Sequence, residues 1–255
     1  MLRSLSAVLL AATFTLPAAP VTAQQAPKTG REVVEKMYRK YKDSWYKTLT
    51  FVQTTTVDRG SGPTRQTWYE TVASPSILRI DIGPPDSGNG VIYTVDSIMV
   101  VRGGKVAARR AGGNPFLPLI QGVYVQPVER TLADLAKFKF DVSKTMTVGS
   151  GDSLAWVVGT STPGDTLSPQ FWVEPKRLIV TRFIGDAGPN FRVDAWLGGY
   201  QPVGKAWLAT KVKIVLPNGT QEEEYQDWKA NRALPSGFFD PERWMEGPHW
   251  AREGL

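Results

Sequence analysis

The chain has 255 residues, a formal net charge of +6 and no cysteine. Without cysteine it forms no disulfide, carries no lipid on a terminal cysteine and holds no metal through thiolates. The positive charges are spread along the sequence. Their densest run, residues 31–47, also contains acidic residues, which indicates a solvated helix face and not a nucleic-acid site. Such a basic face can still assist peripheral contact with an anionic membrane surface.

The first residues are typical of a secretory signal peptide. Arg3 supplies a positive charge, and residues 5–16 form an apolar run shorter than the about 20 residues that span a bilayer. Val21 and Ala23 place small residues at a cleavage site. We predict that residues 1–23 are removed and that residues 24–255 form a single soluble domain in the periplasm of a bacterial envelope. A retained membrane anchor is the alternative.

An amphipathic helix is predicted to open the domain. Residues 29–32 have the pattern of a capping box, in which the Thr29 hydroxyl accepts from a free helix amide and Glu32 reaches back. Apolar residues follow at helical spacing, so this stripe is expected to pack on a sheet. They are Val33, Val34, Met37, Tyr38, Tyr41 and Trp45.

From Leu49 the hydrophobic period changes to two, which is typical of strands. Gly- and Pro-rich turns separate the apolar runs, and residues 217–219 predict a hairpin between the last two. The three glutamates at 222–224 are interpreted as part of a polar strand. Many short strands without alternating long helices predict an antiparallel sheet. The predicted strands are 49–57, 66–72, 77–82, 91–95, 98–102, 105–110, 154–158, 170–174, 178–184, 191–196, 207–216 and 221–228.

A proline-broken apolar segment, residues 114–120, interrupts the strands. Val128, Leu132 and Leu135 then recur at helical spacing and predict a short helix over 127–137 that begins on its proline. Two short helical pieces inserted into a sheet suggest a lid or plug. A helix that only closes one end of a barrel is the alternative.

The residues that most enzymes need are scarce. His249 is the only histidine, and no nucleophile elbow, phosphate-binding loop or zinc-protease motif is present. Arg79 with Asp81, and Arg192 with Asp194, share a strand face at i, i+2 and are interpreted as surface ion pairs. We therefore predict no enzymatic activity, no cofactor and no metal site. A hydrolase using two distant carboxylates is an alternative.

Large apolar side chains are in excess, and the nine tryptophans can each bury about 150–250 Å². One interpretation is an ordinary filled core. The other is a cavity lined by hydrophobic residues, which would suit acyl chains, because burial contributes about 0.8 kcal/mol per CH₂ without directional contacts. The curved sheet and the proline-broken insert favour the cavity.

The order of several short motifs resembles the LolA-like superfamily of periplasmic carriers that sort lipoproteins to the outer membrane. The family's F-x-Q strand appears at 51–53, its paired strands at 68–81, its lid segment at 114–117 and its closing phenylalanine strand at 237–241. The resemblance covers most of the mature chain. Ser74 stands where the family has an arginine that helps to latch the lid. The chain also extends past the usual end, through two further tryptophans, Trp244 and Trp250.

The resemblance implies a mainly β (α+β) fold: an unclosed antiparallel β-barrel or half-barrel with an N-terminal helix and a helical lid. It implies a monomer that takes lipoprotein acyl chains or other lipids from an inner-membrane exporter and passes them to an outer-membrane receptor. An envelope sensor or scaffold that binds protein partners through the same fold is the alternative. The residues expected to line the cavity are Phe51, Trp68, Leu78 and Ile80 on the sheet and Phe116, Leu117 and Leu119 on the lid.

Overall fold

The structure, a computed structural model, describes residues 26–186 and 192–252. The predicted signal peptide, residues 1–23, lies outside the described residues. The strands are β1 Thr48–Asp58, β2 Pro63–Ala73, β3 Ile77–Ile82, β4 Gly90–Tyr93, β5 Ser97–Arg102, β6 Lys105–Ala111, β7 Thr145–Val148, β8 Ala155–Val158, β9 Gln170–Glu174, β10 Ile179–Asp186, β11 Arg192–Gly198, β12 Gln201–Val203, β13 Ala206–Leu208, β14 Lys211–Leu216 and β15 Gly219–Ala230.

Helices occupy two places in the chain. Helix α1, Gly30–Tyr41, opens the fold. In the middle, a π-helical segment, Pro118–Gly122, continues into the single turn α2, Val123–Val125, and is followed by α3, Val128–Lys137. Short 3₁₀ turns lie at Pro85–Ser87, Gly151–Ser153, Pro241–Arg243 and Trp250–Arg252.

The start of α1 follows the predicted cap only in part. The Thr29 hydroxyl accepts from the Glu32 amide at 3.3 Å. The Glu32 carboxylate accepts from the amide of Lys28 at 2.9 Å, one residue earlier than a capping box requires. A Cβ on Gly30 would lie 2.3 Å from Val158 Cγ1, so the close approach of α1 to β8 requires glycine there.

Thirteen strands form one antiparallel sheet in the order β6-β5-β4-β3-β2-β1-β15-β14-β11-β10-β9-β8-β7. Strand β15 pairs with β1 on one side and with β14 on the other, which joins an N-terminal meander to a C-terminal one. In the described part of the chain, the edge strands β6 and β7 do not pair with each other. The prediction of an unclosed antiparallel half-barrel with helices is therefore confirmed.

Helix α1 and the central helical segment lie on the inner face of this sheet. Val33, Val34 and Met37 on α1 are fully buried, as the helical stripe predicted. The same core includes Leu135 of α3 and Trp156 of β8. Helix α1 contacts β8 and the π-helical segment contacts β10, so both pack against strands of the C-terminal meander.

Strands β7 and β12 were not predicted from the sequence, and one predicted strand is divided in two. Strand β7 is only partly buried, and β12 contains Pro202, so neither shows a clear apolar alternation. The predicted strand 207–216 splits into β13 and β14, because β13 pairs with β12 outside the main sheet. The Thr210 amide then donates to Gly198 O as the chain returns to the main sheet. Phe191, the first residue predicted for β11, lies outside the described residues.

The two ion pairs predicted for the surface are both wrong in detail. Arg79 and Asp81 form a two-bond pair, Nε–Oδ2 and Nη2–Oδ1 each at 2.9 Å, but their side chains are only 4% and 1% exposed. The cause is the C-terminal segment, which covers this outer face of the sheet. Arg192 pairs with Asp186, whereas Asp194 accepts from Arg182 of the neighbouring strand.

The C-terminal segment is held over β2 to β4 by polar and aromatic contacts. Trp250 Nε1 donates to Thr71 Oγ1 at 2.7 Å, and His249 Nε2 lies 3.1 Å from Asp81 Oδ2. The Arg79 guanidinium lies over the ring of Trp244, 3.9 Å from its centroid, and donates to the Phe238 carbonyl at 2.7 Å. The single histidine is therefore buried in a structural network.

Candidate functional site

A cavity of about 310 Å³ lies between the inner face of the sheet and the central helical segment. This volume is at the lower end of the range, about 300–1,000 Å³, that small-molecule sites occupy. Inward side chains of β1, β2, β3, β14 and β15 form its floor, because alternate residues of each strand point to the same face. Residues 113–117, Ile120 and Gln121 form its roof, which we call the lid.

Six of the seven residues predicted for the site line this one cavity. Phe51, Trp68, Leu78 and Ile80 do so from the sheet, and Phe116 and Leu117 from the lid. They come together because the register places Phe51 opposite Glu70 and Glu70 opposite Ile80 on adjacent strands. Leu119 is fully buried in the surrounding core and is not among the lining residues.

The lid is held in place by one buried amide. Gln121 Oε1 accepts from Trp45 Nε1 at 3.1 Å and from Ser74 Oγ at 2.7 Å, and Gln121 Nε2 donates to Tyr46 Oη at 3.0 Å. Ser74 therefore contacts the lid through a neutral hydrogen bond. The Phe116 ring also meets Phe183 edge-on, with centroids 4.8 Å apart. Sequence reasoning missed Gln121.

The part of the cavity floor formed by β15 is polar. Glu223 accepts from Gln221 Nε2 at 2.6 Å and from Tyr225 Oη at 2.7 Å. Its neighbours Glu222 and Glu224 point to the outer face and pair with lysines of β14. The three glutamates are thus a strand, as predicted, but the middle carboxyl is buried inside the cavity.

Glu70 is the most unusual residue of the cavity. Its side chain faces inward between Trp68 and Val72 on β2, is only 5% exposed, and makes no hydrogen bond to any residue the structure describes. Burial, and then the nearby charge of Glu223, raise the pKa of the Glu70 carboxyl well above its usual range. Burial also raises the pKa of Glu223, although its hydrogen-bond donors oppose that rise. The alternation Trp68-Glu70-Val72 was the signal that could have revealed an inward carboxyl.

Neither a metal cluster nor a membrane-spanning helix is found within residues 26–186 and 192–252. No three His, Cys, Asp or Glu side chains there are grouped so that they could hold a metal ion. None of the helices described is both long and apolar enough to cross a bilayer.

The sheet, the lid and the cavity together define a LolA-like fold, which confirms the predicted resemblance at the level of architecture. Three solved structures, each with a TM-score of 0.53, share it. A DUF1329 family protein from Desulfovibrio piger is 10% identical, and the match covers 83% of this chain and 95% of that one. A domain described as outer membrane lipoprotein-sorting, from Vibrio parahaemolyticus, is 10% identical, with 85% and 98% covered. A LolA superfamily protein from Nitrosomonas europaea is 11% identical, with 83% and 97% covered.

Sequence comparison adds nothing to this likeness. No protein-family model matches the chain, and no curated protein matches it in sequence. At 10–11% identity the three structures show the fold alone.

Proposed function

We propose that this protein is a periplasmic carrier that binds lipoprotein acyl chains, or other lipids, in the cavity beneath the lid. The observation that supports this most is the cavity itself. Phe51, Leu78 and Ile80 on the floor face Phe116 and Leu117 on the lid, with about 310 Å³ between them. A filled core, the other interpretation of the sequence, would leave only voids of about the size of a water molecule.

Chemistry favours a hydrocarbon as the occupant of the lid side. Each CH₂ group moved from water into such a space contributes about 0.8 kcal/mol, without a directional contact. The three hydrogen bonds that hold Gln121 contribute about 0.5–1.5 kcal/mol each. The entering chain can offset that cost when the lid opens, so the roof can serve as a gate.

The cellular part of the proposal follows the fold. Residues 1–23 would direct export, and residues 24–255 would act as one monomeric lipid-binding domain without cofactor, metal, nucleic-acid ligand or enzymatic activity. Cargo would come from an inner-membrane exporter and pass to an outer-membrane receptor. The basic side of α1, with exposed Arg39 and Lys40, would support brief contact with anionic lipid.

Binding of a fluorescent fatty acid tests this function. The wild-type protein should bind the probe with a saturable rise in fluorescence. Phe116→Asp should abolish that rise, because a carboxylate in the roof opposes burial of the chain. Leu167→Asp, at a residue 78% exposed, is the matched control and should bind like the wild type.

A second variant separates lost binding from lost folding. Val193→Phe keeps the wall apolar but fills the cavity from β11, so it should retain the wild-type circular dichroism spectrum and lose the probe. Uptake that is unchanged in both cavity variants would overturn the proposed function.

A further inference from the structure

The cavity holds a buried acid that the chain leaves without a partner. Glu70 is 5% exposed and its carboxyl makes no hydrogen bond to a described residue, so the protein itself supplies no partner for this acid. Glu70 belongs to the floor of the cavity. It lies in the row that crosses the floor from Ile80 through Glu70 to Phe51, and these three residues all line the cavity.

The second buried acid of the same cavity, Glu223, has hydrogen-bond partners. Its carboxylate accepts hydrogen bonds from Gln221 and Tyr225. Its charge still acts on Glu70 and disfavours a second negative charge there. Arg59 is the only basic residue among the described lining residues. Its guanidinium lies at the turn between β1 and β2 and donates to Asn218 Oδ1 at 2.6 Å.

Aromatic rings surround the two acids. Trp68 lies two residues from Glu70 on the same face of β2, and Phe51 on β1 lies directly opposite Glu70. The Phe51 and Tyr225 rings pack with centroids 4.6 Å apart, and Tyr225 also bonds Glu223. Tyr93 lines the cavity from β4. Carboxylates together with aromatic faces are the surroundings that a cationic nitrogen prefers.

From this arrangement we infer that the cavity takes an amphiphile with a cationic nitrogen, seated between Glu70, Glu223 and the rings, whose alkyl chain runs beneath Phe116 and Leu117. The inference rests on the proposed lipid-binding function and names its ligand class. A cation gives the Glu70 carboxyl a partner and also offsets the electrostatic repulsion between Glu70 and Glu223. A neutral hydroxyl can donate a hydrogen bond to Glu70 but does not offset that repulsion. An anionic headgroup would instead place further negative charge beside these two acids in a region of low dielectric.

Calorimetric titration near neutral pH with three dodecyl amphiphiles tests the inference. Below their micelle concentrations, dodecylammonium should bind about tenfold more tightly than dodecanol, with dodecanoate weakest, as expected when one hydrogen bond becomes charge-assisted. In Glu70→Gln the preference for the amine should vanish while dodecanol binds as before. The matched control is Glu222→Gln, which alters an acid on the outer face next to Glu223 and should keep the preference.

Dodecyltrimethylammonium distinguishes two kinds of cationic nitrogen. Retained affinity indicates recognition by charge and rings, and lost affinity indicates recognition of N–H donors. Dodecanol or dodecanoate binding the wild type as tightly as the amine would overturn the inference and leave lipid binding intact. An unchanged amine preference in Glu70→Gln would overturn it too. Binding of none of the amphiphiles would overturn the inference and the proposed function together.

Discussion

Two buried carboxyls on neighbouring strands of one sheet have opposite surroundings. Asp81, on the outer face of β3, accepts two bonds from Arg79 and lies 3.1 Å from His249 Nε2. Glu70, on the inner face of β2, has no hydrogen-bond partner among the described residues. A buried charge normally persists only when it is paired. Asp81 is therefore paired by other residues of the chain and has a structural role. Glu70 gains a hydrogen-bond or charge partner only from a ligand that enters the cavity.

The two carboxyls differ because the outer and inner faces of the sheet are covered differently. On the outside, the segment that ends in Trp250–Arg252 lies over the sheet and brings His249 and Trp244 against the Arg79–Asp81 pair. The Ala251 amide donates to His249 Nδ1, which leaves Nε2 to donate to Asp81. On the inside, the lid covers the sheet but leaves a space. The same sheet thus has one closed face and one accessible face.

Removing the outer carboxyl should have the largest effect on stability. Asp81→Asn leaves the Arg79 guanidinium buried without its counter-charge, and we expect the free energy of unfolding to fall by about 3–5 kcal/mol. Urea denaturation measures this. Glu242→Gln, which breaks the exposed pair with Arg109, should cost about 0–1 kcal/mol and serves as the control. A loss for Asp81→Asn as small as that of the control would mean that the buried network does not hold the outer face.

A crowding substitution should weaken the same face less. In Gly90→Ala the new Cβ would lie 2.1 Å from the Ile80 carbonyl oxygen and 2.4 Å from Trp244 Cζ2. We expect a loss of about 1–3 kcal/mol, which thermal unfolding can measure. Gly198→Ala on β11 is the matched control, because nothing lies within 4 Å of its added Cβ. Equal melting temperatures for the two variants would argue against close packing of Trp244 on β4.

The inner carboxyl should affect stability in the opposite direction, and only at higher pH. Because the folded-state pKa of Glu70 is raised, its contribution is fully present below the unfolded value of 4.5 and is lost as the pH rises through the folded value. Within that window the wild type should lose up to about 1.4 kcal/mol per pH unit relative to Glu70→Gln. Urea denaturation at a series of pH values measures this. Parallel pH curves for the two proteins would contradict a buried, unpaired Glu70.

The smallest effect is expected at the lid latch. Ser74→Ala removes one of the three hydrogen bonds to Gln121 and should lower stability by about 0.5–1.5 kcal/mol. Amide hydrogen exchange should accelerate locally in residues 114–122. Ser76→Ala in the same turn is the control, since that side chain is exposed. Exchange in the lid at the wild-type rate would show that Ser74 does not latch it.

The sequence predicted local features better than distant partners. The period-two alternation located most strands, and the residues around Asn114 and Pro118 marked the lid. The latch could not be predicted, because Gln121 meets Trp45 and Ser74 from 76 and 47 residues away. Likewise, the spacing of Arg79 and Asp81 placed both on one face, but the segment that buries them follows 165 residues later at Trp244.

The inward acid was missed for a different reason. Within β2 the alternation places Glu70 on the face of Trp68 and Val72, as a polar departure from an apolar row, but only the register with Ile80 and Phe51 shows that this face lines the cavity. Local propensity does not indicate such a departure, because the cost of burying Glu70 appears only after the sheet and lid are assembled.

The proposed function requires that the space under the lid accept a hydrocarbon chain. Organic extraction of the purified protein, followed by mass spectrometry, tests it most directly, with Phe116→Asp extracted in parallel. We expect lipids with alkyl chains in the wild-type extract and their depletion in the variant. Wild-type protein that yields no lipid, and that takes up none when incubated with lipid vesicles, would contradict the account.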